Sequence, residues 1–307
     1  MKVSIFLFHR VSPQRDKLWD PLSPERFDEI LKYLKNKFDL YHAETILGGN
    51  EKIKNMKPLA AIVFDDGYKD YIDYALPILK KHNLPSSMYV VTSCVESGIT
   101  PWTCVLDNAL TNTKKLKVDI DTSYLPEELK NTSWRNTPEK IAFAKKIKPF
   151  LKQISDTTRR KLVEQIICSL NDVELPQNQM MNWEQINEIK TAGTLIGSHT
   201  VSHPLLAKIE NEKEIELELS QSAEKIKENT GSFPLTISYP IGSFDERVKR
   251  LAQKTGYKFG LAVDQKVFES TKQDLFEIPR IELYNEPMLK TRLRIHGTLE
   301  KIKKVLR

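Results

Sequence analysis

The sequence predicts an α/β protein, a single barrel of mostly parallel strands that carries an α-helical insertion. Short runs typical of β-strands alternate with stretches typical of helices in both halves of the chain, which indicates βα units and about seven strands. The alternation lapses over residues 93–181, the predicted insertion. Neither an internal repeat nor a low-complexity linker divides the 307 residues, so we expect one domain, residues 1–307.

The first half of the chain contains three predicted strands and two predicted helices. The strands are apolar runs, the first of them interrupted by Ser4, and such runs are typical of a parallel sheet that is buried on both faces. They are residues 3–8, 59–64 and 88–91. Ser23 followed by Pro24 is a helix N-cap with proline at the first helical position, and it predicts the first helix. Helical apolar spacing over residues 70–82 predicts the second.

The remaining elements follow from the same periodicities. Within the insertion, apolar spacing predicts helices near residues 140–151 and 157–170. After Trp183 the alternation of strands and helices resumes. The predicted elements there are a helix 183–192, a strand 194–197, a helix 213–228, a strand 235–238, a helix 245–254, a strand 259–263 and a last apolar run 278–283.

The net charge of +6 is carried by residues 290–307, within the basic C-terminal tail that we place at residues 286–307. Seven Lys or Arg and one Glu lie between residues 290 and 307, so the rest of the chain is neutral and no nucleic-acid partner is expected. Apolar and basic residues alternate there in a pattern that suggests a peripheral contact with an anionic membrane face; a helix end that packs on the barrel or stays solvated is the alternative. The residues are Leu299, Lys301, Ile302, Lys303, Lys304, Val305 and Leu306.

The composition indicates a globular chain without membrane spans. Hydrophobic residues make up 40% of the chain and the mean hydropathy is −0.43, which excludes the classes of disordered and membrane-spanning proteins. The N-terminal apolar run meets His9 and Arg10 before a secretory signal of about 7–15 apolar residues could form, so we expect a cytoplasmic protein. Three cysteines without C-x-x-C spacing suggest neither a disulfide framework nor a cysteine zinc site.

Polar residues follow two of the predicted strands. Asp65 and Asp66 come directly after the second strand, and His199 and His203 follow the strand 194–197. The carboxyl ends of parallel strands are where α/β folds place their active sites. Two imidazoles and one carboxylate, which Asp66 could supply, form a ligand set that suits Zn²⁺ and leaves Asp65 free to act as a base. The alternatives are a turn in which one aspartate caps a helix, and a capped polar loop.

A third motif, residues 238–242, follows the strand 235–238. The order Tyr-Pro-x-Gly forces a tight turn that can aim a backbone N–H at the ends of the strands, although by itself such a turn is common. In this order and spacing the three motifs resemble the polysaccharide deacetylase family, the NodB-homology deacetylases of carbohydrate esterase family 4. The family motif T-F-D-D-G matches residues 63–67 and the motif H-S/T-x-x-H matches residues 199–203.

The resemblance covers most of residues 1–95 and 182–285, and it implies a distorted (β/α) barrel with the activity of a metal-dependent hydrolase that removes acetyl from an N-acetyl sugar. It implies that Asp65 is the base. The implied ligands of the divalent metal, Zn²⁺ or else Co²⁺ or Ni²⁺, are Asp66, His199 and His203.

The resemblance also suggests roles for residues outside the first two motifs. The third motif places Tyr239 and Ile241 near the oxyanion and substrate, with the Ile241 N–H as a donor. It lacks the arginine that tunes the base in many members, so Arg280 is the candidate for that role, with a structural ion pair as the alternative. The general acid is His9 in the branch whose first strand ends in an aromatic residue and histidine, or the late residue His296.

Three functions remain open on the sequence alone. The first is N-deacetylation of an acetamido sugar in a surface-polysaccharide, lipopolysaccharide or lipid-linked glycan precursor, with a nucleotide- or lipid-linked substrate. The second is an O-acetyl esterase or cyclic-amide hydrolase with the same metal site, and the third is a non-catalytic sugar-binding protein. Trp102 and Trp134 in the insertion are candidate platforms for a sugar ring, with the insertion core as their alternative place.

Overall fold

A curled, mostly parallel β-sheet surrounded by helices forms the body of the protein, as a computed structural model that describes residues 1–49, 53, 56–272 and 274–299 shows. The strands of the described residues are β1 Lys2–Phe8, β2 Asp39–Leu40, β3 Leu59–Asp66, β4 Ser87–Val90, β5 Leu195–Ser198, β6 Thr236–Ser238, β7 Phe259–Leu261, β8 Phe268–Glu269 and β9 Ile281–Glu282. The α-helices are α1 Pro24–Lys37, α2 Ala43–Leu47, α3 Leu76–His82, α4 Thr92–Ser97, α5 Trp102–Asn112, α6 Thr137–Leu151, α7 Asp156–Ser169, α8 Trp183–Thr191, α9 Glu212–Thr230, α10 Glu246–Thr255 and α11 Met288–Ile295.

The sheet has the order β7-β6-β5-β4-β3-β1-β8, with β2 beside β3 and β9 beside β1. All pairs are parallel except β1 with β8. Ile278 bridges to Leu261 of β7, and three residues later Ile281 pairs with Phe6 of β1. This segment spans the gap between β7 and β1 and curls the sheet into the distorted barrel. The predicted fold class is therefore confirmed.

Alternate residues of β1 and β3 enter two different cores, which explains their apolar runs. Ile5 and Val63 pack inside the barrel, whereas Phe6 and Phe64 pack under helix α1. Ser23 caps α1 as predicted, because its side chain accepts the N–H of Arg26. The side-chain period of two continues beyond Val63, so Asp65 also lies on the interior face at the carboxyl end of the strand.

The segment that the sequence indicates as an insertion has a core of its own. Helices α5, α6 and α7 pack around Leu106, Leu110, Ile147, Leu162 and Ile166, all fully buried. Helices α6 and α7 correspond to the two predicted ones. Helix α5 is not predicted by the sequence, because its residues WTCVLDNALTN begin with aromatic and β-branched side chains of low helix propensity. It is stabilised by packing on α6 and α7.

Both ends of this segment are fastened to the loops that carry the first two motifs. The N–H groups of Thr92 and Ser93 donate to the carbonyl groups of Thr200 and Val201. At the other end, the N–H of Met181 donates to the Gly67 carbonyl at 3.0 Å. The insertion therefore stands at the carboxyl-end mouth of the barrel.

The start of the C-terminal tail packs against the body of the protein. Helix α11 buries Met288 and Ile295 in the core under the sheet. The apolar and basic stripe predicted for membrane contact extends from Leu299 to residue 307, and residues 300–307 lie outside the described part of the chain. Within the described ranges, no helix combines the length and the apolar character that a membrane crossing requires.

Candidate metal centre and active-site pocket

Most of the predicted site residues line a pocket, open to solvent, at the carboxyl-end mouth of the barrel. Two parts of the chain form it, which we call the barrel wall and the insertion wall. The barrel wall consists of His9, Trp19, Asp65, Asp66, His199, His203, Ile241, Val263 and Glu282. The insertion wall consists of Thr103, Asp107, Lys148 and Lys152.

Asp66, His199 and His203 form a buried triad of potential metal ligands. One ligand atom from each lies within 4.8 Å of the others. The Nε2 atoms of His199 and His203 are 3.4 and 3.5 Å from Asp66 Oδ1. Their positions follow from the topology, because β3 and β5 both end at this mouth on either side of β4. The structure thus brings together the three residues that the sequence suggested as ligands.

The surroundings of the triad fit a divalent cation. The Nδ1–H of His199 donates to the Ser238 carbonyl at 2.7 Å, which leaves the lone pair of Nε2 directed toward Asp66. Asp66 Oδ1 is buried and has no hydrogen-bond donor among the described residues, a costly arrangement unless a cation is bound. Burial lowers the pKa of His203 to about 3, so its ring is neutral and able to coordinate a metal. Three protein ligands would leave a position open for water or substrate.

The backbone is strained at the motifs. Four non-glycine residues of the site have a positive φ: Asp66 at 76°, Thr200 at 69°, His203 at 58° and Ile241 at 57°. The described chain contains only two others, Asn83 and Asn178. Each such residue costs about 1–3 kcal/mol and persists where the surrounding structure holds it in place. Holding these residues in their orientation therefore lowers the stability of the folded protein.

Asp65 is held by Arg280 in a fully buried ion pair. Arg280 Nη1 donates to both carboxylate oxygens, at 2.8 and 2.9 Å, and the Ser238 hydroxyl donates to Oδ2 at 3.1 Å. Burial raises the pKa of Asp65, but the charge of Arg280 and the nearby histidines more than offset it, so the pKa is lowered. Asp65 therefore remains an anion. The guanidinium is itself fixed by donation from Nε to the Ala262 carbonyl at 2.9 Å.

His9 lies in the pocket, and His296 does not. His9 follows β1, and its Nδ1 is 3.5 Å from Glu282 Oε1, while its ring meets the edge of Trp19 at a centroid distance of 5.2 Å. His296 Nε2 instead lies 2.8 Å from the hydroxyl of Tyr33, and its ring stacks against Phe38.

Phe38 directly precedes β2, and β2 pairs with the first residues of β3, Leu59 and Ala60. Since Asp65 is six residues further along β3, His296 is roughly 20 Å from the mouth. This distance corrects the suggestion that His296 is the general acid.

The third motif contributes Ile241 to the pocket, whereas Tyr239 points elsewhere. The ring of Tyr239 is buried between the sheet and helices α9 and α10 and stacks on Phe244 at 4.9 Å. Its hydroxyl occupies space that a side chain at Gly260 would fill, because a Cβ there would lie 2.2 Å from it. Ser238 faces Asp65 inside the barrel. Since successive side chains of a strand point to opposite faces, the side chain of Tyr239 lies on the outer face of the sheet. This corrects the expectation that Tyr239 contacts the substrate.

The two tryptophans suggested as sugar platforms lie outside the pocket. The Nε1–H of Trp134 donates to the Lys115 carbonyl at 2.8 Å, and the ring packs in the insertion core. Trp102 lies under the guanidinium of Arg159, at 4.6 Å, in a separate groove. The aromatic residue of the pocket is Trp19, which the sequence analysis missed.

The sequence contained weak signals for the missed residues. Asp16 accepts the N–H groups of Leu18 and Trp19, an Asx-type turn that holds Trp19 beside the first strand end. Lys148 and Lys152 are four residues apart, so they share one side of α6 and its C-terminus. Which side faces the pocket depends on the packing of the insertion, and no local pattern shows it.

Comparisons with known proteins give a matching sequence family, a related protein and solved structures with the same fold. The sequence model of a family described as "Polysaccharide deacetylase" matches residues 52–136 and 148–260. Chitin deacetylase 1 of Cryptococcus neoformans var. grubii is 31% identical over 108 residues, which are 35% of this chain and only 22% of that protein.

Two solved structures share the fold. One is the Streptococcus pyogenes deacetylase PplD in complex with acetate, with a TM-score of 0.62, 16% identity and coverage of 95% of this chain and 98% of that one. The other is BC0361, a polysaccharide deacetylase from Bacillus cereus, with a TM-score of 0.60, 18% identity and coverage of 96% and 69%.

Proposed function

The chain belongs to the polysaccharide deacetylase family, and on this premise we propose that it is a metal-dependent hydrolase that removes the acetyl group from an acetamido sugar. The observation that carries the proposal is the pairing of two features in one pocket. A buried ligand triad of one carboxylate and two imidazoles lies beside Asp65, a second carboxylate that the triad does not need as a ligand. A binding protein would have no use for a buried anion fixed by an arginine at this position.

Asp66, His199 and His203 would hold the metal. The set of two nitrogen ligands and one oxygen ligand favours Zn²⁺, with Co²⁺ and Ni²⁺ as further candidates. When bound, such an ion polarises the amide carbonyl and lowers the pKa of water by several units. The site attracts positive charge. Burial lowers the pKa of His199, but the carboxylates of Asp65 and Asp66 raise it by a larger amount, so the pKa of His199 is raised overall.

The other residues act on protons and on orientation. Asp65 accepts the proton of the attacking water, and Arg280 keeps the carboxylate ionised and in place. His9 donates the proton that the departing amine requires, and Glu282, 3.5 Å from its Nδ1, orients the ring. The backbone N–H of Ile241 donates to the developing oxyanion from the pocket edge.

The substrate is an acetamido sugar of a surface-polysaccharide, lipopolysaccharide or lipid-linked glycan precursor, and its carrier is a nucleotide or a lipid. The names of the relatives, a chitin deacetylase and a deacetylase in complex with acetate, support removal of acetyl from an amino sugar. The basic tail supports peripheral contact with the inner membrane face.

Acetate release from a panel of acetamido sugars tests the proposal. The panel comprises free, nucleotide-linked and lipid-linked N-acetylhexosamines, and the proteins are the zinc-loaded wild type and its Asp65→Asn variant. We expect the wild type to release acetate and the variant to be slower by about 10²–10⁴-fold with unchanged metal content. Asp264→Asn, a substitution at an exposed aspartate just beyond β7, is the matched control and should keep full activity.

The outcomes separate the candidate functions. O-acetyl sugars and cyclic amides are assayed beside this panel. Hydrolysis of either of them without release of acetate from the acetamido sugars would select the second function, an O-acetyl esterase or a cyclic-amide hydrolase. Equal activity of the Asp65→Asn variant and the wild type would contradict the role of the base.

A further inference from the structure

Two lysines of the insertion reach the same pocket as the metal triad. Lys148 lies in the last turn of α6 and Lys152 caps its C-terminus, so both side chains project from one side of the helix end. Both line the pocket together with Asp65, Asp66 and the histidines. The mechanism described above uses neither of them.

The two lysines differ in their partners. Lys148 Nζ donates to both oxygens of Asp107, at 2.8 and 2.6 Å, and forms an ion pair with it. The ammonium of Lys152 has no hydrogen bond and no ion pair within the described ranges of the chain. Lys152 is partly buried, so its charge is incompletely compensated by solvent.

The carboxylates at the mouth of the barrel have nearer neighbours than Lys152. Asp65 is paired with Arg280 at 2.8 Å, and Asp66 faces His199 and His203. Glu282 lies 3.5 Å from His9. Burial lowers the pKa of Lys152 and the positive charge of Lys148 lowers it further, whereas the carboxylates of Glu282 and Asp107 raise it by less. A negative charge placed beside Lys152 would counter both effects.

We propose that Lys152, supported by Lys148, binds an anionic group of the substrate, so that the acetamido sugar processed here carries a phosphate ester or a carboxylate close to the acetamido group. The inference rests on the proposed function, because it names the class of sugar that the pocket takes. Both anions offer oxygen acceptors for the ammonium, and the experiment distinguishes them.

The test compares sugars that differ only in charge. The probes are N-acetylglucosamine, its 1-phosphate and N-acetylglucosaminuronic acid, each with its galacto isomer. Binding is measured by isothermal titration calorimetry and turnover by acetate release, for the wild type and the Lys152→Gln variant. We expect the wild type to prefer one anionic class, and the variant to bind it about tenfold more weakly while binding of the neutral sugar changes less than twofold.

Two further variants keep the test decisive. Lys145→Gln removes a charge from an exposed position of the same helix, and it should change nothing. Lys152→Arg keeps the charge and should restore the preference. Raising the salt concentration should weaken binding of the anionic sugar by the wild type and have little effect on the variant.

The results separate this inference from the proposed function. Equal weakening of all sugars by Lys152→Gln, or no preference of the wild type for any anionic sugar, would overturn the inference and leave the deacetylase intact. Binding of an anionic sugar through Lys152 without release of acetate would uphold the subsite and overturn the deacetylase. Absence of both binding and release would overturn both.

Discussion

The two walls of the pocket are built by different means. Most of the barrel wall is formed by residues at strand ends, where parallel ladders fix the backbone, and the side chains of Asp65, Asp66, His199 and His203 are almost fully buried there. The insertion wall presents Asp107, Lys148 and Lys152 from helices that pack around a core of their own. The difference suggests that the two walls have different roles. We expect the barrel wall to hold the reacting groups, which need fixed positions, and the insertion wall to bind the rest of the substrate, for which side chains on a separate helical unit are sufficient.

Besides the hydrogen bonds at the two ends of the insertion, helix α7 also couples the walls. Asp156, at the start of α7, accepts the N–H of Leu205 just beyond His203, and it also binds Arg159 and Arg160. The turn that carries His203, one of the potential metal ligands, is therefore held in part by the insertion. If the division is correct, changes in the barrel wall will affect catalysis and stability, and changes in the insertion wall will affect affinity.

Removal of the metal is expected to have the largest effect. Dialysis against a chelator should lower the rate of acetate release by about a thousandfold or more, since the ion supplies several kcal/mol of transition-state stabilisation, and zinc should restore it. Asp66→Asn should lose the metal, whereas Asp107→Asn in the other wall should keep it, as measured by elemental analysis. Full activity of the metal-free protein would contradict the assignment.

Breaking the ion pair of the barrel wall is expected to cost the most stability. Arg280→Met leaves Asp65 as a buried, unpaired anion, so the free energy of unfolding should fall by about 3–5 kcal/mol. Urea unfolding at pH 7 measures it. Arg250→Met breaks an exposed pair with Glu212 and should cost less than about 1 kcal/mol. Similar losses for the two variants would argue against a special role of the buried pair.

Lowering the pH should lower the free energy of unfolding of the metal-free protein through His203 of the barrel wall. The folded pKa of His203, about 3, lies below the value of about 6.5 in the unfolded chain, so the unfolded state takes up a proton first as the pH falls. The stability contributed by the neutral ring is present above pH 6.5 and is lost below it, by about 2 kcal/mol between pH 7 and pH 5. His199, with a raised pKa, opposes this loss.

Urea unfolding of the metal-free wild type and of His203→Gln at pH 7, 6 and 5 isolates the contribution. The variant should show the shallower dependence on pH. A steeper dependence in the variant would mean that His203 is protonated in the folded protein.

The smallest expected effect concerns the aromatic residue of the pocket. Trp19→Ala should raise KM for the sugar about 2–10-fold, because an aromatic contact contributes about 0.5–1.5 kcal/mol. Trp102→Ala, in the separate groove, should leave KM unchanged. Steady-state kinetics and melting curves of both variants measure these effects. A change of KM in the Trp102→Ala variant alone would mean that Trp102, and not Trp19, contacts the sugar.

The barrel and its ligand triad could be predicted from the sequence because local patterns specify them. Buried strands have apolar runs, and Asp66, His199 and His203 each follow such a run at the same edge. For Arg280 the sequence leaves a structural ion pair open as the alternative to tuning the base, since its pairing with Asp65 across 215 positions depends on closure of the barrel. His296 and Tyr239 were misplaced because motif position alone does not tell which face or which end of a strand a side chain occupies.

The insertion wall could not be predicted for a related reason. The orientation of α6 depends on tertiary packing against α5 and α7, and the helical pattern of α5 was itself obscured by its β-branched start. Trp19 lies in a loop whose path depends on the Asx-type turn at Asp16. These are long-range or irregular features, for which hydrophobic periodicity carries no information.

Because residues 93–181 leave and rejoin the barrel at hydrogen bonds to the two motif loops, they form an exchangeable cassette. We expect that such a segment can be replaced or lengthened without shifting any strand end, provided that the anchors at Thr92, Ser93 and Met181 and the contact of Asp156 with Leu205 remain. The same property offers a route to engineering: grafting this segment between family members would transplant a preference for one saccharide onto an unchanged hydrolytic core.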